Sequence, residues 1–320
     1  MKKILIILCA LSPALKAQIV NIPDANFKKA LIAAGVDINH DGKIQENEAL
    51  LITSINVSYD SISSLEGIES FKNIKDLACN NNELTTLNVS KNVVLDDIDC
   101  SNNNITNLDV FKNINMKTLA CSENKLAALD LSGNMKLTDL SCASNLLVKL
   151  DVSKNKNLTG LLCTVNNLTK LDLAKNSVLQ SLSCDNNKLK YLNLSLNKKL
   201  TSLSCSGNNI TSLNLSENVL IHKIDCDNNQ ISNIDISKNI VLDDIDCSKN
   251  NLITLNVSHN PKLYSLRIDD NQISTLNISQ NSHLTDFEHS NNPLTKLYVT
   301  ADQATNVKLN LDKNILSIKK

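Results

Sequence analysis

Three sets of residues in this chain have types and spacings that could do chemistry. The first is the run DINHDGKIQENE, from Asp37 to Glu48. Oxygen-bearing side chains stand at its first, third and fifth places (Asp37, Asn39, Asp41), glycine at the sixth (Gly42) and glutamate at the twelfth (Glu48). A hard cation takes about six to eight oxygens, a glycine permits the sharp turn, and a terminal glutamate can bind through both oxygens. Lys43 would lend its backbone carbonyl and Gln45 would act through water, so the spacing suits a structural Ca2+ ion in the manner of an EF-hand loop. The same run also reads as a plain connection, because the motif occurs once and has no paired loop to switch open. The second set is nine cysteines, at 79, 100, 121, 142, 163, 184, 205, 226 and 247. Zinc sites favour close pairs such as Cys-x-x-Cys, and this spacing offers none. In-register cysteines on parallel strands rarely meet disulfide geometry, which leaves small buried hydrophobes as the reading. The third set is acidic: Asp225, Asp227, Asp244, Asp246 and Asp269, with Asp243 and Asp270 at its margins and a smaller group of Asp96, Asp97 and Asp99. Like charges a few ångströms apart cost free energy unless compensated. Such a patch attracts a cation or a basic partner, or else is the solvated face of a mildly acidic protein. Tyr264 and Arg267 stand among these aspartates and are of the types that anchor interfaces.

Each cysteine follows the last by 21 residues, and the frame continues through Ile268 and His289. Three residues after each of these positions comes an asparagine, from Asn82 to Asn292, and a second recurs ten places later, from Asn92 to Asn281. A fixed period in this range signals a solenoid, which grows in one dimension without needing a larger central core. One turn reads Leu200-x-x-Leu203-x-Cys205-x-x-Asn208-x-Ile210-x-x-Leu213-x-Leu215-x-x-Asn218. Leu203-x-Cys205 alternates with period two, so it predicts a short strand with its apolar side chains inward. Leu213-x-Leu215 repeats that spacing. The pattern therefore predicts two short strands per turn, parallel ladders on both flanks and little helix. Successive turns should rise about 4.8 Å. An inward asparagine can satisfy the backbone groups that a buried corner would leave unpaired.

This consensus closely resembles the leucine-rich repeat family, in the 21-residue cysteine-ladder form of internalin-type bacterial surface proteins. The resemblance covers about residues 52–300, and the preceding cap resembles N-terminal segments on such proteins in Bacteroidetes. It implies a β-dominated leucine-rich repeat solenoid, non-enzymatic, engaged in protein–protein interaction or adhesion.

Four regions follow. Residues 1–17 have a basic start (Lys2, Lys3), a short apolar run and a cut site after Ala17, which reads as a secretory signal peptide. Residues 18–51 form a helical cap: Asp24 suits an N-cap, Phe27, Ala30, Leu31 and Ala34 share one face, and Gly35 offers a stop. A helix of about two turns from Asn47 to Ile52 should follow the loop 37–48. About twelve repeat turns occupy 52–300, opening with an irregular turn whose step to the next is 22 residues. Residues 301–320, with Val307-x-Leu309-x-Leu311, should cap the far end of the core.

The charge balance is close to neutral, at −1 for the whole chain, and a lone arginine, Arg267, stands against many lysines. That excludes a nucleic-acid footprint and disfavours sites built on paired guanidinium recognition. Aromatic residues are 2% of the chain, too few for sugar recognition by ring stacking. The five histidines, at 40, 222, 259, 283 and 289, are scattered, and no Gly-x-Ser-x-Gly, His-Glu-x-x-His or phosphate loop occurs. The reading is an exported monomer without a transmembrane segment, binding a protein partner on its outward strand face. The alternative is a calcium-stabilised envelope protein with no dedicated partner.

Overall fold

A computed structural model describes residues 18–305 and 315–318. The predicted leader and the Val307–Leu311 segment lie outside the described residues. The repeat closes into a stack of turns built on one parallel sheet of twelve strands, from Ser54–Asn56 to Asp286–Glu288. The first step of that sheet, Ser54 onto Asp76, is 22 residues, and each later step is 21, as in Leu182–Leu203–Ile224. Period-two alternation sets the faces: the middle residue of each strand is buried and its two neighbours point outward. Asp244 and Ser265 are outward residues that are nonetheless covered, and their side chains bond to Lys223 and Asp286.

The second flank is less regular than the first. Its ladders are confined to Leu87–Asn88 with Leu108–Asp109, Leu213–Asn214 with Ile234–Asp235, and a three-stranded group of Thr275–Asn277, Lys296–Val299 and Leu316–Ile318. Between these, turns are joined by single backbone bonds such as Lys125 N–H to Ile105 O, 2.9 Å, and by buried side chains. Asparagine supplies most of the latter. Asn155 Nδ2 donates to Leu131 O (3.1 Å) and Asn134 O (2.8 Å) of the previous turn, and the same pair of bonds recurs from Asn92 to Asn281. The first-flank asparagines do more. Asn208 donates to Cys184 O and Cys205 O, at 3.1 and 3.0 Å, while its Oδ1 accepts Leu189 N–H at 3.0 Å. The first-flank corners therefore keep their polar groups satisfied inside an apolar core.

The ends close this core. Helix α1, Ala25–Ala33, lays Phe27, Ala30 and Leu31 against the first turns. Asp24 caps it through Phe27 N–H (2.9 Å), and its other oxygen accepts Ser63 N–H, Ser63 Oγ–H and Ser64 N–H, which fastens the cap to the first turn. Helix α2 is Glu46–Ala49, a single turn rather than the two expected, because the chain at Ser54 is already committed to the sheet. At the other end a third helix, Ala301–Thr305, brings in Gln303. Its Nε2 donates to Ile278 O (2.9 Å) and Asn281 O (3.0 Å), the two carbonyls that a further ladder asparagine would have taken.

Candidate functional site

The nine repeat cysteines are free and buried, stacked inside the sheet. Burial pushes the Cys100 and Cys142 thiols up to about 12, so they remain protonated and unreactive at neutral pH. Three of them donate weakly to a carbonyl of the next turn, as Cys184 Sγ does to Ser204 O at 3.5 Å. His289 is half-buried, with its ring 4.7 Å from that of Phe287. The histidines stay dispersed, and the cysteines stand in one apolar column. Among the described residues no group of three or more His, Cys, Asp or Glu gathers in a metal-holding arrangement.

The loop 37–48 brings its predicted oxygens onto its own amides. Asp37 and Glu48 are almost fully buried. Asp37 accepts Asp41 N–H (3.1 Å) and Gly42 N–H (2.8 Å). Glu48 accepts Ile38, Asn39 and Gln45 N–H at 2.8, 3.1 and 2.9 Å. Asn39 Oδ1 accepts Asp41 N–H, and Asp41 Oδ1 accepts Lys43 N–H, each at 2.9 Å. Gly42 has φ +76, the left-handed turn that the pattern required. Neither buried carboxylate has a cationic side chain within ion-pair distance among the described residues, so amide dipoles alone offset their charge.

On the sheet, the predicted acidic residues do come together, but with cations among them. Strand Lys223–Asp225 pairs with Asp244–Asp246, which pairs with Ser265–Arg267, which pairs with Asp286–Glu288. Lys223 Nζ lies 3.0 Å from Asp244 and 3.7 Å from Asp225. Arg267 bonds Asp286 and lies 3.8 Å from Glu288. Asp246 Oδ1 accepts Ser248 N–H (2.9 Å) and Asp269 Oδ1 accepts Ser290 N–H (2.7 Å), so both also hold turns. Asp227 flanks the cluster half-buried, and Tyr264 stands exposed beside strand Ser265–Arg267. Burial lifts the Asp225 carboxyl above its ordinary value; Lys223 pulls it down, and the charges of Asp246, Asp244 and Asp227 add to the rise. Lys223, Asp286 and Glu288 belong to this array without having been anticipated. Each stands 21 or 42 residues from an anticipated aspartate, so the repeat frame itself was the signal that could have found them.

The outward face thus changes along its length. It is acidic at Asp76, Asp97 and Asp99, mostly small and uncharged from Ala120 through Gly160 to Ser204 with Asp139 and Leu162 as the exceptions, and of mixed charge from Lys223 to Glu288. A shallow depression of about 420 Å3 lies over the small central residues.

Comparison with known proteins agrees with this architecture. The functional domain of InlJ from Listeria monocytogenes, described as including a cysteine ladder, is 34% identical, with a TM-score of 0.85; the match covers 96% of this chain and 73% of that one. The internalin InlF from Listeria monocytogenes gives a TM-score of 0.81 at 22% identity, covering 91% and 93% of the two chains. A leucine-rich-repeat protein of Leptospira interrogans gives 0.71 at 21% identity, covering 90% and 81%. No protein-family model and no curated protein sequence matches the chain. Among the described residues no helix is long and apolar enough to cross a membrane.

Proposed function

The chain belongs to the bacterial leucine-rich-repeat proteins, in the cysteine-ladder group, and on that premise we propose that it is an exported, non-enzymatic scaffold that binds a protein partner, as in adhesion, through the outward face of its twelve-stranded sheet. One observation carries this reading. The outward residues of the twelve strands do not pack the core, yet their chemistry is graded along the axis instead of repeating. A face under structural demand alone has no reason to change from acidic to small to mixed charge. The partner is expected to place a flat or extended surface over Ala120–Ser204 and to present complementary charge to Lys223, Arg267 and the aspartates around them.

The test compares proteins captured from host and bacterial surface extracts by the mature chain and by a Lys223→Glu, Arg267→Glu variant. A saturable partner held by the first and lost by the second supports the reading. No saturable partner overturns it in favour of a structural envelope protein, and equal capture by both overturns the assignment of binding to the sheet face. Export rests on the pattern of residues 1–17, and the mature protein should begin at Gln18 when its N-terminus is sequenced from an extracellular or envelope fraction.

The cap loop is the second element of the proposal. Its donors are all oxygen, and two nearly buried carboxylates there have no cationic side chain beside them. Asp37, Asn39, Asp41 and Glu48, with the Lys43 carbonyl, would hold Ca2+, and Gln45 would act through water. The ion would supply the positive charge that Asp37 and Glu48 lack within ion-pair distance among the described residues. Its effect would be to stiffen the cap over the first turn.

A further inference from the structure

The other flank, away from the sheet, is not smooth. Three depressions there run into one another. One of about 410 Å3 is lined by Lys170, Asp172, Ala174, Lys190, Tyr191 and Leu196. A second, about 420 Å3, shares Lys170 and Asp172 with it and adds Val148, Lys149 and Ser153. The third, about 510 Å3, shares Ser153 and adds Met135, Lys154, Lys156 and Lys175. Together they form a groove crossing four successive turns. At about 4.8 Å per turn that is roughly 14 Å, the reach of about four residues of extended chain.

Its floor is apolar where the repeat does not ask for it. The frame position of Tyr191 holds Lys149, Lys170 and Thr254 in other turns, that of Leu196 holds Lys112, Lys154 and Lys175, and that of Ala174 holds Ser153, Ser195 and Ser216. Tyr191 is 63% exposed and Leu196 52% exposed, so neither contributes to the core. Three departures from a repeat, converging on one hollow and costing exposed apolar area, are a sign of binding and not of packing.

Its rim is cationic. Six lysines line it against Asp151 and Asp172, and among the described residues none of the six makes an ion pair. The aspartates already have work: Asp151 Oδ1 accepts Ser153 N–H (2.9 Å) and Asp172 Oδ1 accepts Ala174 N–H (3.0 Å). The cations are left for something else.

The geometry points to this groove as the docking site for a short, extended, acidic peptide segment of a partner protein, with a large apolar side chain seated between Tyr191 and Leu196. The surface is separate from the sheet face, so its test is separate too. Fluorescence anisotropy of the mature chain would use three labelled hexapeptides: alternating glutamate and leucine, alternating lysine and leucine, and hexaglutamate. The first should bind saturably and more weakly as salt is raised, the second should not bind, and the third should bind at least about tenfold more weakly than the first. Tyr191→Thr with Leu196→Lys installs residues that other turns carry at those places. It should leave thermal unfolding unchanged and weaken the first peptide at least about tenfold. Lys170→Glu with Lys190→Glu should abolish binding, whereas Lys223→Glu with Arg267→Glu on the sheet should not alter it. The proposal is overturned by equal binding of the lysine peptide, by absence of saturable binding, by unchanged affinity in the Tyr191, Leu196 variant, or by capture of anionic lipid vesicles without capture of the peptide.

Discussion

At the scale of single residues, the repeat exposes its own exceptions. Two places after each cysteine position the backbone is left-handed, and asparagine or another polar residue usually sits there: Asn81, Asn102, Asn186 and Asn228 have φ between 51° and 57°. Val165 occupies the same place at φ 52°, where a β-branched side chain is strained by roughly 1–2 kcal/mol. Val165→Asn should therefore raise stability by about 1 kcal/mol, read as a higher urea midpoint with an unchanged slope. A fall in the midpoint would show that Val165 makes contacts worth more than its strain. Asp97 is a second exception. It stands on Asp76 in the neighbouring strand, and burial, together with Asp76, Asp96 and Asp99, lifts its carboxyl above the ordinary 3.8. A carboxyl whose folded value is raised favours the folded state below its unfolded value and disfavours it once both states are ionised. Asp97→Asn should thus melt higher than the parent at pH 7, and the advantage should vanish as the pH falls below about 3.8. An advantage that persisted at low pH would point to packing instead of charge.

At the scale of elements, the flanks are held by different means, and the asparagine columns show it. On the first flank Asn187 both donates and accepts, and the strand ladder runs beside it. On the second, Asn176 donates to Val152 O and Asn155 O while its Oδ1, fully buried, has no partner. Asn176→Ala would remove two buried bonds between turns, leaving Val152 O and Asn155 O only the N–H groups of Asn155 and Leu158, and open a cavity, at a cost of about 2–4 kcal/mol. Exposed Asn193, which only accepts Ser195 N–H, should cost at most about 1 kcal/mol when changed to alanine, and denaturant titration of both separates the two roles. Equal losses would mean that the buried column is not what joins these turns. The period in the sequence carried the strands, the inward cysteines and both asparagine columns. It could not show that the second flank would lack a continuous ladder, because Leu213-x-Leu215 and Leu203-x-Cys205 read alike; only hydrogen bonding between turns tells them apart. Nor could it show Gln303 ending the column, since that residue falls one place off the frame and reaches back from a helix. The site was legible to the same degree: the aspartates stand out from their frame, while Lys223 shares that frame with the opposite charge and so does not show in a pattern of like charges. In the cap, calcium should raise the melting temperature of the mature chain, and chelation should reverse it. Because Asp37 already accepts two amides, Asp37→Ala should lower the calcium-free melting temperature and also remove the calcium increment; the increment, measured by calorimetry, is the informative quantity. An increment of zero in the parent chain would leave the loop as a plain connection.

At the scale of the whole molecule, each turn touches its neighbours and little else, so stability should be nearly a sum over turns and interfaces. Removing residues 164–184 joins Cys163 to Asp185 and deletes one 21-residue turn. Asn187 then inherits the place of Asn166, whose Nδ2 reaches back 24 residues to Cys142 O at 3.0 Å, and every inward residue keeps its face. That chain should fold, unfold cooperatively and show a urea slope smaller by about one-twelfth, in proportion to the surface lost. Removing only 164–174 leaves Cys163 and Cys184 ten residues apart, too few to complete a turn, and should split the stack there so that the chain no longer unfolds as one cooperative unit. The in-frame deletion also separates the two surfaces functionally. It destroys the groove, which needs Lys170 and Ala174, but keeps Lys223, Asp244 and Arg267 on consecutive strands. A partner held by the charged end of the sheet should survive the deletion, and peptide binding on the other flank should not. Loss of both, in a chain that still unfolds cooperatively, would mean that the two faces serve one continuous partner and not two.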